Sequence, residues 1–437
     1  MTLVAFESLA ISTVLPQVSD DLGGLGLYGW VFSGFFLGSL MGIVVAGQLS
    51  DERGTRLPYI LGLALFAIGL VVGGLAQSMG MLVAGRVAQG LGAGAIPAVA
   101  YVAVGRNYPA AIRPRVFAVF STAWVVPGLV GPVAATSLAE ALSWRAVFLA
   151  LIPIAAIAGA MTLPALDGSP PEDAEEPPPN GADRRRDAAV LVVGAAVLLI
   201  GLGAGNPIAA AALVAAGAIV GTWAFVRLVP RGTVRLAAGM PAAVAVRGII
   251  TFAFFGADVY VSLAVTDGLG ASTWMAGAAL TSATLVWTTG SWVQQRIIHQ
   301  TGARRLVRWG FLYVAAGIVA MLVALHLGQA WLIVPAWGIG GFGMGIAYSP
   351  ISVTVLSLAA PGQEGMASAS FQLSDVLGVS LGTGISGVFV ALGESRGWET
   401  SSSLSYAFAL MAMVAVAGSV AAGRLPRRLP EDLSPEA

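Results

Sequence analysis

Apolar runs of about 18 residues or more, repeated down nearly the whole chain, decide what this sequence can fold into. Fourteen are recognisable, at 1–19, 28–49, 57–77, 79–104, 115–139, 144–166, 188–204, 207–228, 242–266, 273–297, 304–326, 329–356, 365–391 and 404–423. A helix of roughly 20 apolar residues matches the hydrocarbon thickness of a bilayer. A helix also satisfies its own backbone polar groups there. The runs therefore predict an all-α polytopic membrane protein with the lipid bilayer as its first partner. Composition agrees: 57% of residues are hydrophobic and 10% charged, against roughly 25% charged in soluble domains. The 22 basic residues, all Arg, balance 22 acids, so nothing points to nucleic acid.

Other classes drop out by missing residue types. There is no Cys, which removes disulfides and thiolate chemistry. His299 and His326 are the only histidines, too few for a metal site, and no cofactor is expected. No G-x-x-x-x-G-K-[ST] stretch occurs, so a nucleotide is not the energy source. The N-terminal run has no basic flank, so it does not read as a cleavable signal peptide. It offers only about 15 residues before Pro16, short of the roughly 20 needed, and part of a first helix is expected to lie upstream. Gly205-Asn206-Pro207 reads either as a turn between two spans or as a break in one long helix.

Arg positions orient the spans. With the N-terminus inside, eighteen Arg fall in or beside cytoplasmic segments, Arg145 and Arg396 lie outside, and Arg86 and Arg247 lie within spans. Positive charge stays inside, so both termini are expected to be cytoplasmic. Arg247, less than two turns from a cytoplasmic end, is expected to snorkel.

The chain also repeats. Gly54-Thr55-Arg56 with Gly62 returns as Gly302-Ala303-Arg304 with Gly310, an offset of 248; Gly90, Gly92 and Gly94 return as Gly341, Gly343 and Gly345, at 251. Gly131 falls on Gly382 at 251, and Asp20-x-Leu22-Gly23 on Asp267-x-Leu269-Gly270 at 247. The expected organisation is an N-terminal six-helix half (1–166), a linker (167–187), two inserted helices (188–228), a C-terminal six-helix half (229–425) and a tail (426–437). The linker holds five Pro, seven acids and the run Arg184-Arg185-Arg186 and is expected to be a mobile cytoplasmic segment, its triple Arg a topology anchor.

Four local motifs carry a family resemblance. Gly47-Gln48-Leu49-Ser50-Asp51-Glu52-Arg53-Gly54-Thr55-Arg56 is a charged turn between two spans. It resembles the G-x-L-x-D-x-x-G loop of the major facilitator superfamily, with Glu52 where that family has a basic residue. Leu82-x-x-x-Arg86-x-x-Gln89-Gly90 is similar to its R-x-x-Q-G signature. Pro127-Gly128-Leu129-Val130-Gly131-Pro132 resembles its antiporter motif, with Ala135 and Thr136 in place of a Gly pair. Ser143-Trp144-Arg145-Ala146 is similar to the W-R-W entry to helix 6 of the fourteen-helix drug:proton antiporters, with Ala146 for the second Trp. The resemblance implies a major facilitator fold and proton-coupled antiport, with Arg86 in proton coupling and Asp51 in a conformational switch with Gly47, Gly54 and Arg56.

Physical readings run beside it. Asp51 could face the N-terminus of the span beginning near Gly365, where free N–H groups favour an anion, or merely cap its own turn. Arg86 cannot shed its proton, so within a span it demands a partner; carbonyls alone would also serve. The Pro127, Gly128, Gly131 and Pro132 helix should bend and pack closely. Glu7, Asp258 and Asp375 lie within spans, where an unpaired carboxylate costs roughly 2.5–3.5 kcal/mol. Glu7 lies about 13 residues from the outer end of its helix and Arg86 about eight, a gap near 8 Å at ~1.5 Å per residue. At an offset of 247 Glu7 corresponds to Phe254, with Asp258 one turn beyond. Glu7 is the first candidate for loading and releasing a proton and Asp258 the second; each could instead be a structural hydrogen bond. Trp30, Trp124, Phe254, Trp287, Tyr348 and Asp375 are candidates to line an apolar substrate cavity, lipid-facing placement being the alternative.

The expected function is secondary transport in the plasma membrane: export, by a monomer, of a small, largely apolar molecule in exchange for protons. Import, or movement of lipid or metabolite, fits the same fold. A membrane-embedded enzyme would need a nucleophile–base set or metal ligands at one depth, and none is visible.

Overall fold

The computed structural model describes residues 2–107, 125–166, 181–359 and 364–426. Among them no strand occurs. The helices are α1 (Thr2–Leu22), α2 (Tyr28–Arg53), α3 (Arg56–Gly74), α4 (Met79–Asn107), α5 (Val125–Ala141), α6 (Trp144–Leu149 resumed at Leu151–Thr162), α7 (Gly181–Leu202) and α8 (Pro207–Leu228). They continue as α9 (Met240–Asp258, resumed at Val261–Leu263), α10 (Thr273–Thr301), α11 (Ala303–Leu327), α12 (Ile333–Ser357), α13 (Glu364–Arg396) and α14 (Thr400–Ala421). Eleven are long and apolar enough to cross a membrane. The other three are α5, described over only 17 residues, α7, which opens on charged residues, and α10, which mixes Thr, Gln and Arg296 into its apolar run. Apolarity alone thus supports fewer spans than the fourteen expected. Met161, Ile208 and Val420 are more than 70% exposed, a surface suited to lipid rather than water.

Several boundaries differ from expectation. Helix α1 continues through Pro16 to Leu22. Helix α2 runs one turn past its apolar stretch to Arg53, so Asp51 lies inside a helix rather than in a turn. Gly54 ends it at φ 77°, where glycine has no Cβ to clash. Residues 167–180 of the expected linker lie outside the described residues, but 181–187 are already helical. Asp183 in the first turn of α7 suits the positive end of the helix dipole. Arg185 donates to Gln48 and Glu52 on α2, and Asp187 pairs with Arg227 on α8 at 3.3 Å. The charges read as a linker are thus tied to the helices. Gly205-Asn206-Pro207 does separate two helices: the Asn206 side chain caps α8 by accepting from Ile208 N and Ala209 N, and Pro207 takes the first position, where no N–H is needed.

One packing scheme occurs twice. Helix α4 lies against α2 and α3, and α12 against α10 and α11; α1 packs on α5 and α9 on α13; α3 packs on α6 and α11 on α14. Glycines permit the closest of these approaches. A Cβ on Gly90 or Gly94 would strike the backbone of Phe35 or Ser39 in α2, and one on Gly92 the carbonyl of Gly62 in α3. In the later helices Gly341, Gly345 and Gly343 meet Ala283, Trp287 and Gly310 in the same way. The two sets of helices are joined by α2 on α13 and α5 on α10. Ser33 donates to the Ser380 carbonyl at 2.9 Å and Ser380 returns a bond to the Ser33 carbonyl at 3.3 Å. Helices α7 and α8 lie against α2 and α13 through Val44, Leu191, Leu228 and Leu373.

Candidate functional site

Glu7 and Arg86 meet directly. The Arg86 Nη1 of α4 donates to Glu7 Oε1 of α1, and the two side chains are 1% and 0% exposed. The long guanidinium arm closes the difference in depth that the sequence places between them. Gln89, one turn from Arg86, stands on both: it accepts from Arg86 Nη1 at 3.1 Å and donates to Glu7 Oε1 at 3.4 Å. Arg86 Nε donates to the Val31 carbonyl at 3.1 Å, and its Cζ lies 4.1 Å from the Phe35 ring centroid. Glu7 Oε2 has no hydrogen-bond partner among the described residues. Chemically, the pair is neutral while Glu7 is ionised. When Glu7 takes a proton, Arg86 keeps its charge and still has a carbonyl, an amide oxygen and an aromatic face to hold it.

Arg247 does not snorkel. It is 3% exposed, and its Nε donates to Asp375 Oδ1 of α13 at 2.7 Å. Its Nη1 donates to the Tyr348 carbonyl at 3.0 Å and to Ser352 Oγ at 3.1 Å on α12, and its Cζ sits 3.2 Å from the Tyr348 ring centroid. The Tyr348 hydroxyl donates to Asp375 Oδ2 at 3.2 Å. An arginine partnered inside the bundle has no need to reach the interface, and this one ties α9, α12 and α13 together.

Next to it runs a row of rings. Tyr348 contacts Trp287 (centroids 5.3 Å), Trp287 contacts Phe254 (5.5 Å), and Phe254 stacks on Trp337 (4.6 Å, 15°). The Trp337 indole Nε1 donates to Asp258 Oδ1 at 2.7 Å. Thus Phe254, Trp287, Tyr348, Asp258 and Asp375 are brought into one connected region of α9, α10, α12 and α13. Trp30 on α2 is half-buried and makes no ring contact with this row among the described residues. Trp124 lies outside the described residues.

The other motif residues lie elsewhere. Gly47 has open space around it, Gly54 ends α2 and exposed Arg56 begins α3; the Asp51 side chain lies outside the described structure. Pro127 is buried near the start of α5. Gly128 is in that helix, with its immediate surroundings outside the described structure. Gly131 faces Leu9 and Phe6 of α1 at ordinary contact distance. Pro132 lines a groove of about 370 Å³ between α5 and α10 with Thr136, Trp274, Gly277 and Thr281. Arg145 Nη1 and Trp144 Nε1 both donate to Asp21, at 2.7 and 3.0 Å, and Arg145 Nη2 to the Ala76 carbonyl at 3.1 Å, which staples the start of α6 to two neighbouring turns.

These pieces agree with what the chain is related to. Residues 1–383 match the profile of the Major Facilitator Superfamily. The chain belongs to that superfamily. It is a transporter of a small-molecule substrate, not an enzyme, and sits in a membrane with many apolar helices. A Mycobacterium tuberculosis relative named "Probable multidrug-efflux transporter" is 27% identical over 446 residues, covering 97% of this chain and 92% of that one. "Multidrug resistance protein 3" of Bacillus subtilis is 28% identical over 153 residues, 35% of this chain and 30% of that one. Among solved structures, an auto-inhibited POT family peptide transporter superposes with TM-score 0.68 at 16% identity, covering 98% and 96% of the two chains. A D-xylose-proton symporter superposes at 0.66 and 15%, covering 98% and 95%. At these identities the structures show the shared major facilitator fold.

Sequence reasoning gave no role to Trp337. Its signal was present: Arg86 displaced by the offset of 251, which aligns the glycines of α4 and α12, falls on Trp337.

Proposed function

We propose that this major facilitator transporter exports a small, largely apolar compound across the plasma membrane in exchange for protons, as a member of the fourteen-helix drug:proton antiporter branch. The observation that carries the reading is Glu7: a carboxylate sealed among helices, one oxygen held by Arg86 and Gln89 and the other without a partner among the described residues. The multidrug names of the relatives support the substrate class and the direction.

In this reading all fourteen helices span, both termini are cytoplasmic, and the monomer is built from halves 1–166 and 229–425 with 188–228 inserted. The twofold recurrence of one packing scheme supports the division. Glu7 takes a proton from the outer side and gives it up inside as substrate enters. Opening of the sealed pair to one side or the other is what lets the proton on and off. Asp258 is a second proton group. Gly47, Asp51, Gly54 and Arg56 form the switch between conformations. Pro127, Gly128, Gly131 and Pro132 bend and pack α5 beside α1. Phe254, Trp287, Tyr348 and Asp375, with Trp30 and Trp124, line the substrate path.

The test is transport of a panel of apolar fluorescent dyes into everted vesicles carrying an imposed pH gradient. Wild type should accumulate at least one dye when the gradient is present and lose it on collapse with an uncoupler. Glu7→Gln should bind the same dye and fail to accumulate it. Accumulation by Glu7→Gln at the wild-type level would sink the assignment of Glu7.

A further inference from the structure

At the level of the Glu7–Arg86 pair, the second set of helices uses different chemistry. Displaced by 247 and 251 residues, Glu7 and Arg86 fall on Phe254 and Trp337. These two are also in contact, but as stacked rings, 4.6 Å apart and inclined by 15°. Where α1 and α4 are joined by an ion pair, α9 and α12 are joined by an aromatic stack. The carboxylate has not been lost. One turn along α9, Asp258 accepts the Trp337 indole N–H at 2.7 Å. Trp337 is fully buried, held by Phe254 on its face, and its single donor carries no charge.

We propose that Trp337 is a positioning residue for Asp258, holding that carboxyl by a neutral donor so that the later helices offer a proton site separate from Glu7. This rests on the proton-coupled reading above. In the step, Asp258 takes a proton from hydronium on one side, the hydronium O–H breaking as the carboxyl O–H forms, and gives it to water on the other, forming hydronium there. The indole keeps its own proton throughout. Protonating Glu7 leaves the positive charge of Arg86 behind, whereas protonating Asp258 takes its site from one negative charge to none. The two sites therefore differ in what they attract while occupied. The other charged and titratable groups of the helices packed around α9 are bonded elsewhere or lie at the surface, as do Tyr313 and His326 of α11. Asp375 and Tyr348 are bonded with Arg247, Glu7 with Arg86, and the Tyr260 hydroxyl donates to the Thr383 carbonyl at 2.8 Å. Asp267 accepts from Thr266, and Tyr406, the only titratable side chain of α14, is exposed. None of them is bonded to Asp258 among the described residues.

The experiment is an infrared difference titration of the full chain in liposomes, without substrate, following the C=O stretch of protonated carboxyl groups. Glu7→Gln serves as the background to silence the other site. Adding Asp258→Asn should remove one titrating band. Trp337→Arg should move the midpoint of that band down by about one pH unit or more, because a cation beside the carboxyl favours its ionised form. Trp337→Phe keeps a ring against Phe254 but loses the donor to the ionised form, so the midpoint should rise. If Trp337→Arg fails to fold, the Phe variant still decides. A midpoint unmoved by Trp337→Phe, or no band lost with Asp258→Asn, overturns the proposal. If vesicles show no proton-driven transport while the midpoint still follows residue 337, the coupling reading fails and the positioning role stands.

Discussion

Arg86 and Glu7, 79 positions apart on α4 and α1, form an ion pair with almost no solvent exposure. Desolvating two charges costs several kcal/mol per ion, roughly offset by their attraction and by the surrounding hydrogen bonds. Removing Arg86 leaves Glu7 without its only charged partner among the described residues. Arg86→Ala should therefore lower stability by about 3–5 kcal/mol, read as a large drop in the melting temperature of detergent-purified protein. Adding Glu7→Gln should recover much of the loss, since no ion is then left unpaired. Equal melting of the single and double variants would show that Arg86 acts through packing and carbonyls rather than through Glu7.

Arg247 uses Nε for Asp375 and Nη1 for the Tyr348 carbonyl and Ser352, a geometry that needs a guanidinium. A lysine supplies charge but not the planar fork. Arg247→Lys should melt well below wild type, and Asp375→Asn should be comparably damaging because it leaves Arg247 buried without its carboxylate. A Lys variant that melts like wild type would mean that charge alone suffices.

Gly90 and Gly47 separate close packing from mere composition. A methyl on Gly90 would enter the backbone of Phe35, whereas Gly47 has nothing within 4 Å. Overpacking costs about 1–3 kcal/mol, so Gly90→Ala should lower the yield of folded protein and its melting temperature, and Gly47→Ala should leave both unchanged. Gly345→Ala, facing Trp287 in the equivalent contact, should behave like Gly90→Ala.

The fourteen-span topology makes a direct prediction. Reporter fusions at Gly397 should read external and at Leu433 cytoplasmic. A cytoplasmic reading at Gly397 would reject the proposed orientation and the span count behind it.

Much of the fold was legible in the sequence because its cause is local. Long apolar runs must become helices once water is absent, and Asn206-Pro207 and Gly54 mark helix ends by their own backbone chemistry. The glycine offsets of 248 and 251 reported a repeat because close backbone approach admits only the smallest residue. Where the cause is a partner far along the chain, sequence could only name candidates. Arg247, read as snorkelling, is held by Asp375, 128 residues away. The charges read as a loose linker anchor α7 to Glu52 and Arg227. Glu7 and Arg86 were each recognisable as costly in a bilayer, but only the packing of their helices brought them into contact. Trp337 carried no such cost, because a tryptophan sits readily in an apolar run, and in the sequence only the offset of 251 from Arg86 singled it out. Its single polar atom became informative only when the fold placed Asp258 2.7 Å from it.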